Sequence, residues 1–302
     1  MMNRRHGWLG LALAFGVMAL PASAQLKLEW KLMEGDHFYL EEKVVLRQNV
    51  KLMNTPHLHE MAFTRVTRFG VLKKNQDGGY LLKQKIEAIK LDQRGAANKK
   101  GKMLRAQEGA VFKVTLTPQF KVAGLDGYEA LVKKLSTDED IAPMVRVLMP
   151  RQGFAGAVEA LFGFLPDRAV DKGAAWTWIQ VRPLGALGSI KIENTCTSRG
   201  PEKLGNREVV KLAVTPTKSL FSPPQGESAF AFKVRKGDIR VERDKSSATI
   251  SFDAKLGRLV SSETTLAMTG TLTVSVMGTT IAMEVEHEEK VVSRVLDKNP
   301  LP

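Results

Sequence analysis

His57-Leu-His59 is the pair of side chains in this 302-residue sequence best spaced to share a metal ion. On a strand, residues i and i+2 point the same way, so both imidazoles could face one ion. His37, Glu60 or His287 would then arrive from another strand as a third ligand. Two exposed histidines beside the turn at Pro56 account for the same spacing, so no metal and no cofactor is expected, with His57 and His59 kept as the candidates. His287-Glu288 opens like a zinc-protease motif, but the position of its second histidine is Val291. The sequence has no Gly-x-Ser-x-Gly elbow, no serine three residues before a lysine, and no Gly-x-x-x-x-Gly-Lys phosphate loop. With Cys196 alone, neither a thiolate zinc site nor a redox pair can form. Its strand-like setting, Ile190 to Cys196, reads as a small buried hydrophobe. Asp138-Glu-Asp140 offers carboxylates, but after Ser136 and Thr137 they read as a helix N-terminal cap. Glycoside hydrolysis needs two carboxylates facing across a cleft, and nothing selects such a pair. No catalytic residue is therefore expected, and a hydrolase is the last of the readings.

Binding chemistry has more material. The formal charge is +13, which favours anionic partners such as an envelope polymer or lipid headgroups. The basic clusters are Lys99-Lys-Gly-Lys102 with Arg105, in a polar Gly/Ala-rich stretch, and Lys233 to Arg243. In the second, Lys233 and Arg235 share a strand face opposite Phe232 and Val234 and form the expected anion contact. Neither cluster is interleaved with aromatic side chains, which argues against single-stranded nucleic acid. Trp176 and Trp178 share another strand face and read as core or as the wall of a ligand cavity, with Phe162 from a helix as a further contact.

These residues must be carried by a β-rich scaffold. Leu26-Leu28-Trp30, Leu272-Val274-Val276 and Ile281-Met283-Val285 alternate with polar neighbours, as antiparallel strands with one solvated face do. Turn signals at residues 75–79, 204–206, 236–238 and 277–278 separate the strands. Asn54 and Gly278 are expected at the positive φ of tight hairpins. Residues 126–165 lose the alternation and read as helices, the second capped by Ser136-Thr137 with Pro143 in its first turns. Ahead of all this, Arg4 and Arg5, the apolar run Trp8 to Leu20, and Ala22-Ser23-Ala24 read as a signal peptide cleaved before Gln25. That run is shorter than the ~20 residues a membrane span takes, and no later segment reaches that length. The expected organisation is a signal peptide at 1–24 and one β-rich domain at 25–302. Within the domain, β units at 25–125 and 166–302 flank the helical block. Gly35 to Leu40 lines up with Gly173 to Trp178, and Val114 to Val122 with Ile250 to Val260, which suggests a duplicated β unit.

The chain resembles a family of secreted planctomycete proteins of unknown function. The likeness rests on Glu34-Gly-Asp-His-Phe-Tyr39, Gly79 to Glu87, Asp171-Lys-Gly173 with Trp176, Ile250-Ser-Phe-Asp253, Gly257-Arg-Leu-Val-Ser-Ser-Glu263 and the tail Leu296-Asp-Lys-Asn-Pro300. Gly173-Ala-Ala-Trp176 departs from it where an Asp-Thr pair precedes the tryptophan. The resemblance implies export and a β-rich fold, and brings no catalytic residues. The fold expected is mainly β: a large curved antiparallel sheet or half-open barrel, with the helical block packed on its apolar face. The function expected is an exported, non-catalytic binding protein, periplasmic or extracellular, holding a lipid-like ligand between sheet and helices. The alternative is a cell-surface interaction module without a cavity.

Overall fold

A computed structural model describes residues 26–53, 55–92, 99–139, 141–225 and 232–301. The signal-peptide reading, Asn54 and Asp140 lie outside the described residues. Among them, twelve strands form one antiparallel sheet. The first half supplies β1 (His37–Leu52), β2 (Thr55–Lys74), β3 (Tyr80–Leu91), β4 (Val111–Leu116) and β5 (Val122–Asp126). The second supplies β6 (Ala175–Pro183), β7 (Ser189–Leu204), β8 (Arg207–Ser222), β9 (Phe232–Val241), β10 (Ser247–Asp253), β11 (Arg258–Val276) and β12 (Thr279–Leu296). Their order is β5-β4-β3-β2-β1-β12-β11-β10-β8-β7-β6, with β9 beside the far half of β11. The first half is a meander, the second a meander interrupted by β9, and the halves join where β1 pairs β12 from Tyr39↔Leu296 to Leu52↔Met283.

The sheet is not closed into a barrel, because β5 and β6 are its two edges and do not pair. Helix α4 (Arg151–Phe162) packs against both of them. Glu159 reaches from this helix to the edge of β5, where its Oε1 accepts from the Val122 N–H at 2.8 Å. Arg151 donates to the Leu125 carbonyl at 2.8 Å. On the other side Gly153 and Gly156 let the helix approach β6, since a Cβ on Gly156 would lie 3.2 Å from the Val181 carbonyl. Two edges that would otherwise invite pairing with another chain are thus covered by one helix.

The concave side holds the main core. Trp30 lies at its centre, its ring 4.8 Å from that of Phe162 and its indole N–H donating to the Phe162 carbonyl at 2.8 Å. Leu28, Trp30 and Leu32 are buried in the expected alternation, yet residues 27–36 form no strand ladder. The segment crosses the concave face, tied by the Leu26–Val170 bridge and by Lys31 N–H to the Gly257 carbonyl at 2.9 Å. Alternation reported burial there, and the pairing was decided by what lay alongside.

The helical block needs two corrections. Ser136 ends α2 (Tyr128–Leu135) rather than capping a second helix, and the Thr137 hydroxyl donates back to the Lys134 carbonyl at 2.8 Å. Pro143 lacks the N–H that a continuous helix needs. The chain therefore makes a 3-10 turn at Ala142–Met144, followed by the single turn α3 (Val145–Leu148). Helix also forms outside 126–165, because Lys99–Arg105 is α1 rather than a loop. Among the described residues, no helix is long and apolar enough to cross a membrane.

Cys196 lies on β7 with no exposed surface, and burial pushes its thiol up to about 12. At pH 8 roughly one molecule in 10,000 carries a thiolate, so a thiol-reactive disulfide dye should leave the folded protein unlabelled for hours and react with one equivalent once denaturant is added. Fast labelling of the folded protein would contradict this burial.

Candidate functional site

Because β1, β2, β11 and β12 are in register, side chains of one face form rows across the sheet. On the concave face one row runs His59–Gln48–His287–Met268, and the next runs His57–Val50–Val285–Gly270. Toward the sheet centre follow Met61–Leu46–Glu289–Leu266, then Phe63–Val44–Val291–Thr264. The helices do not cover all of this surface.

Among the described residues, two hollows lie between the sheet and what packs on its concave face. The larger has a volume of about 970 Å³. Its walls are mostly apolar: Val50, Leu52, Met268, Val274, Met283 and Val285 come from the sheet, with Met103 and Leu104 of α1 and the turn Leu184–Leu187 facing them. The smaller, about 600 Å³, lies beneath α4 and is lined by polar side chains including Glu42, Arg65, Gln84 and Asn194. Phe63, Leu148 and Pro183 line both hollows and make the boundary between them.

An ion pair stands in the smaller hollow. Arg182, from edge strand β6, donates to both carboxylate oxygens of Glu289 on central strand β12, at 2.9 and 3.1 Å. The two strands are five places apart in the sheet, so the pair spans its concavity and ties one edge to the middle. His287 Nε2 lies 3.5 Å from the same carboxylate. Burial alone would raise the Glu289 pKa, but the Arg182 guanidinium and the His287 imidazole outweigh it and hold it at about 2. A second pair, Arg65–Glu42 at 2.7 Å, neutralises the other charges of this hollow. The Gln84 side-chain oxygen is buried there without a partner.

Three basic side chains of the larger hollow, His57, His59 and Lys100, gather at one rim. His57 and His59 are exposed and share a face of β2, with Lys100 of α1 close enough for its charge to act on His59. Desolvation lowers the His59 pKa, and the charges of Lys100 and His57 lower it further. Desolvation lowers the Lys100 pKa as well. His287 is on the same concave face as His59, two strands and therefore about 10 Å away. Glu60 points to the opposite face, where it meets Arg47 at 3.5 Å, and His37 is at the far end of β1 beside the Tyr39 ring. Among the described residues no three His, Cys, Asp or Glu side chains are grouped to hold a metal.

The remaining candidates are dispersed. Trp178 lines the smaller hollow, while the Trp176 indole N–H donates to the Phe164 carbonyl at 2.9 Å. Phe162 is fully buried among Trp30, Phe38, Phe69 and Phe120 and lines neither hollow. Phe232 and Val234 face inward, leaving Lys233 and Arg235 on the outside of β9, away from the larger hollow. Arg182 and Glu289 were not singled out from the sequence, and Lys100 was read only as a member of the basic cluster Lys99 to Lys102. Arg182 and Glu289 are 107 residues apart, and only the curl of the sheet brings them together.

No family model and no curated protein matches the chain. Among solved structures it is similar to lipovitellin, described in terms of its lipid–protein interactions. That match has 8% identity and a TM-score of 0.41 and covers 90% of this chain, which spans 26% of the length of that one. It is also similar to a DUF1329 family protein from Desulfovibrio piger, at 8% identity and a TM-score of 0.15, with 87% of each chain covered.

Proposed function

We propose that this is an exported, non-catalytic binding protein that holds a lipid-like ligand in the larger hollow between the sheet and the helices. The observation that carries the reading is a chamber of about 970 Å³ with predominantly apolar walls inside a sheet whose edges are sealed by a helix. Ligand cavities fall between about 300 and 1,000 Å³, so this one is at the roomy end of the range. A cell-surface interaction module would instead be supported by a solid core and free strand edges, whereas here both edges meet α4. Export belongs to the same reading: the Arg4-to-Ala24 pattern and the resemblance to secreted planctomycete proteins support it.

Native mass spectrometry of protein purified from its own cell envelope tests the proposal. A co-purifying species of lipid mass, lost on denaturation, is the expected result. Repeated recovery of ligand-free protein that also fails to enhance the fluorescence of N-phenylnaphthylamine would overturn it.

A further inference from the structure

We infer that the ligand is an anionic amphiphile, with its apolar tail in the larger hollow and its carboxylate or phosphate group at the rim formed by His57, His59 and Lys100. The inference rests on the binding reading above and adds the charge of the head group. Among the described residues four titratable side chains line the hollow, His57, His59, His287 and Lys100, and all are basic, with no aspartate or glutamate among them. His287 is already engaged by Glu289. Lys100 makes no ion pair with any described residue, although it is partly desolvated. Placing a partly desolvated ammonium beside two imidazoles is unfavourable unless an anion joins them; burial lowers the pKa of both Lys100 and His59, and the charges of Lys100 and His57 lower that of His59 further. The nearest inward carboxylate, Glu289, is neutralised by Arg182, so it does not cancel the field at the rim. The rim is open to water and the chamber is apolar, which is the polarity an amphiphile has along its length. By contrast, the smaller hollow has its charges paired within itself, Arg65 with Glu42 and Arg182 with Glu289, and offers no unbalanced charge to a ligand.

The test compares probes of equal chain length and different heads on the mature protein. Palmitic acid, hexadecyl phosphate and hexadecanol are titrated against bound N-phenylnaphthylamine. A charge-assisted contact at a partly wet rim should favour the anions about tenfold over the alcohol. In Lys100→Gln that preference, read as the ratio of anion to alcohol affinity in the same variant, should shrink to about twofold. Lys102→Gln, on the same helix but outside the lining, should leave it intact. The ratio of acid to phosphate tells which head the rim prefers. Equal binding of acid, phosphate and alcohol by the native protein would overturn the inference while leaving the binding reading standing. An unchanged preference in Lys100→Gln would also overturn it. Failure of all three probes, and of the dye, would instead sink the binding reading itself.

Discussion

Val285→Trp should lower the affinity for N-phenylnaphthylamine about thirtyfold, a loss of about 2 kcal/mol, while the protein stays folded. Val285 is on the central strand β12, 3% exposed, with Val50 on one side and Gly270 on the other, and it faces the larger hollow. An indole at this position would project into the hollow that Val285 lines, at an overpacking cost of about 1–3 kcal/mol where it meets the packed neighbours of Val285. What is removed is the volume the ligand needs. Ala282→Trp on the same strand points to the solvated face and serves as the control, with binding expected to be unchanged. Dye titration and a denaturant melt on both variants separate loss of the site from loss of the fold. Undiminished binding by a folded Val285→Trp protein would show that the ligand does not enter this chamber.

Arg182→Leu should destabilise the protein by about 2 kcal/mol at pH 7 and shift acid unfolding to higher pH. Removing one partner of a buried ion pair costs roughly 3–5 kcal/mol, and solvent screening of the Arg182 side chain, which retains 34% exposure, reduces that to about 2. The pH dependence follows from the sign of the shift. Glu289 titrates at about 2 when folded, against roughly 4.3 in an unfolded chain. Its pairing therefore stabilises the fold fully above about pH 4.3, and that contribution is lost as pH falls toward 2. Without the guanidinium the carboxyl loses its strongest attraction, its folded pKa rises, and protonation begins at milder acidity. Circular dichroism across pH 2–7 reads the midpoint. Because Arg182 ties edge strand β6 to the middle of the sheet, the variant should also release bound dye several-fold faster, measured by stopped-flow dilution. A stability loss with unchanged release would confine the pair to a structural role.

Much of the scaffold was legible because alternation is a local property. Leu272-Val274-Val276 and Ile281-Met283-Val285 were each read as an apolar strand face from period two alone; Leu272, Val274, Met283 and Val285 are buried, and Val276 and Ile281, at the hairpin end, are half-buried. Gly278 was expected at positive φ and has φ of 85°. Helix boundaries were less accessible: Lys99–Arg105 contains Gly101, a poor helix former, and like charges three residues apart at Lys99, Lys102 and Arg105, which weigh against helix in an isolated stretch. Packing of Met103 into the core outweighs that preference.

By itself the sequence determined the class of fold, the absence of the familiar catalytic motifs, and which strand faces turn away from water, since these depend on residue type and on neighbours one to four places away. Tertiary structure alone decided where a chamber would be. It placed His57 and His59 with Lys100 at one rim, brought Arg182 onto Glu289, and sent Phe162 into the core rather than toward a ligand. A cavity is the volume that side chains from distant segments leave unfilled. Its presence and its charge depend on how far a twelve-stranded sheet curls before one helix bridges its edges, which no local pattern encodes.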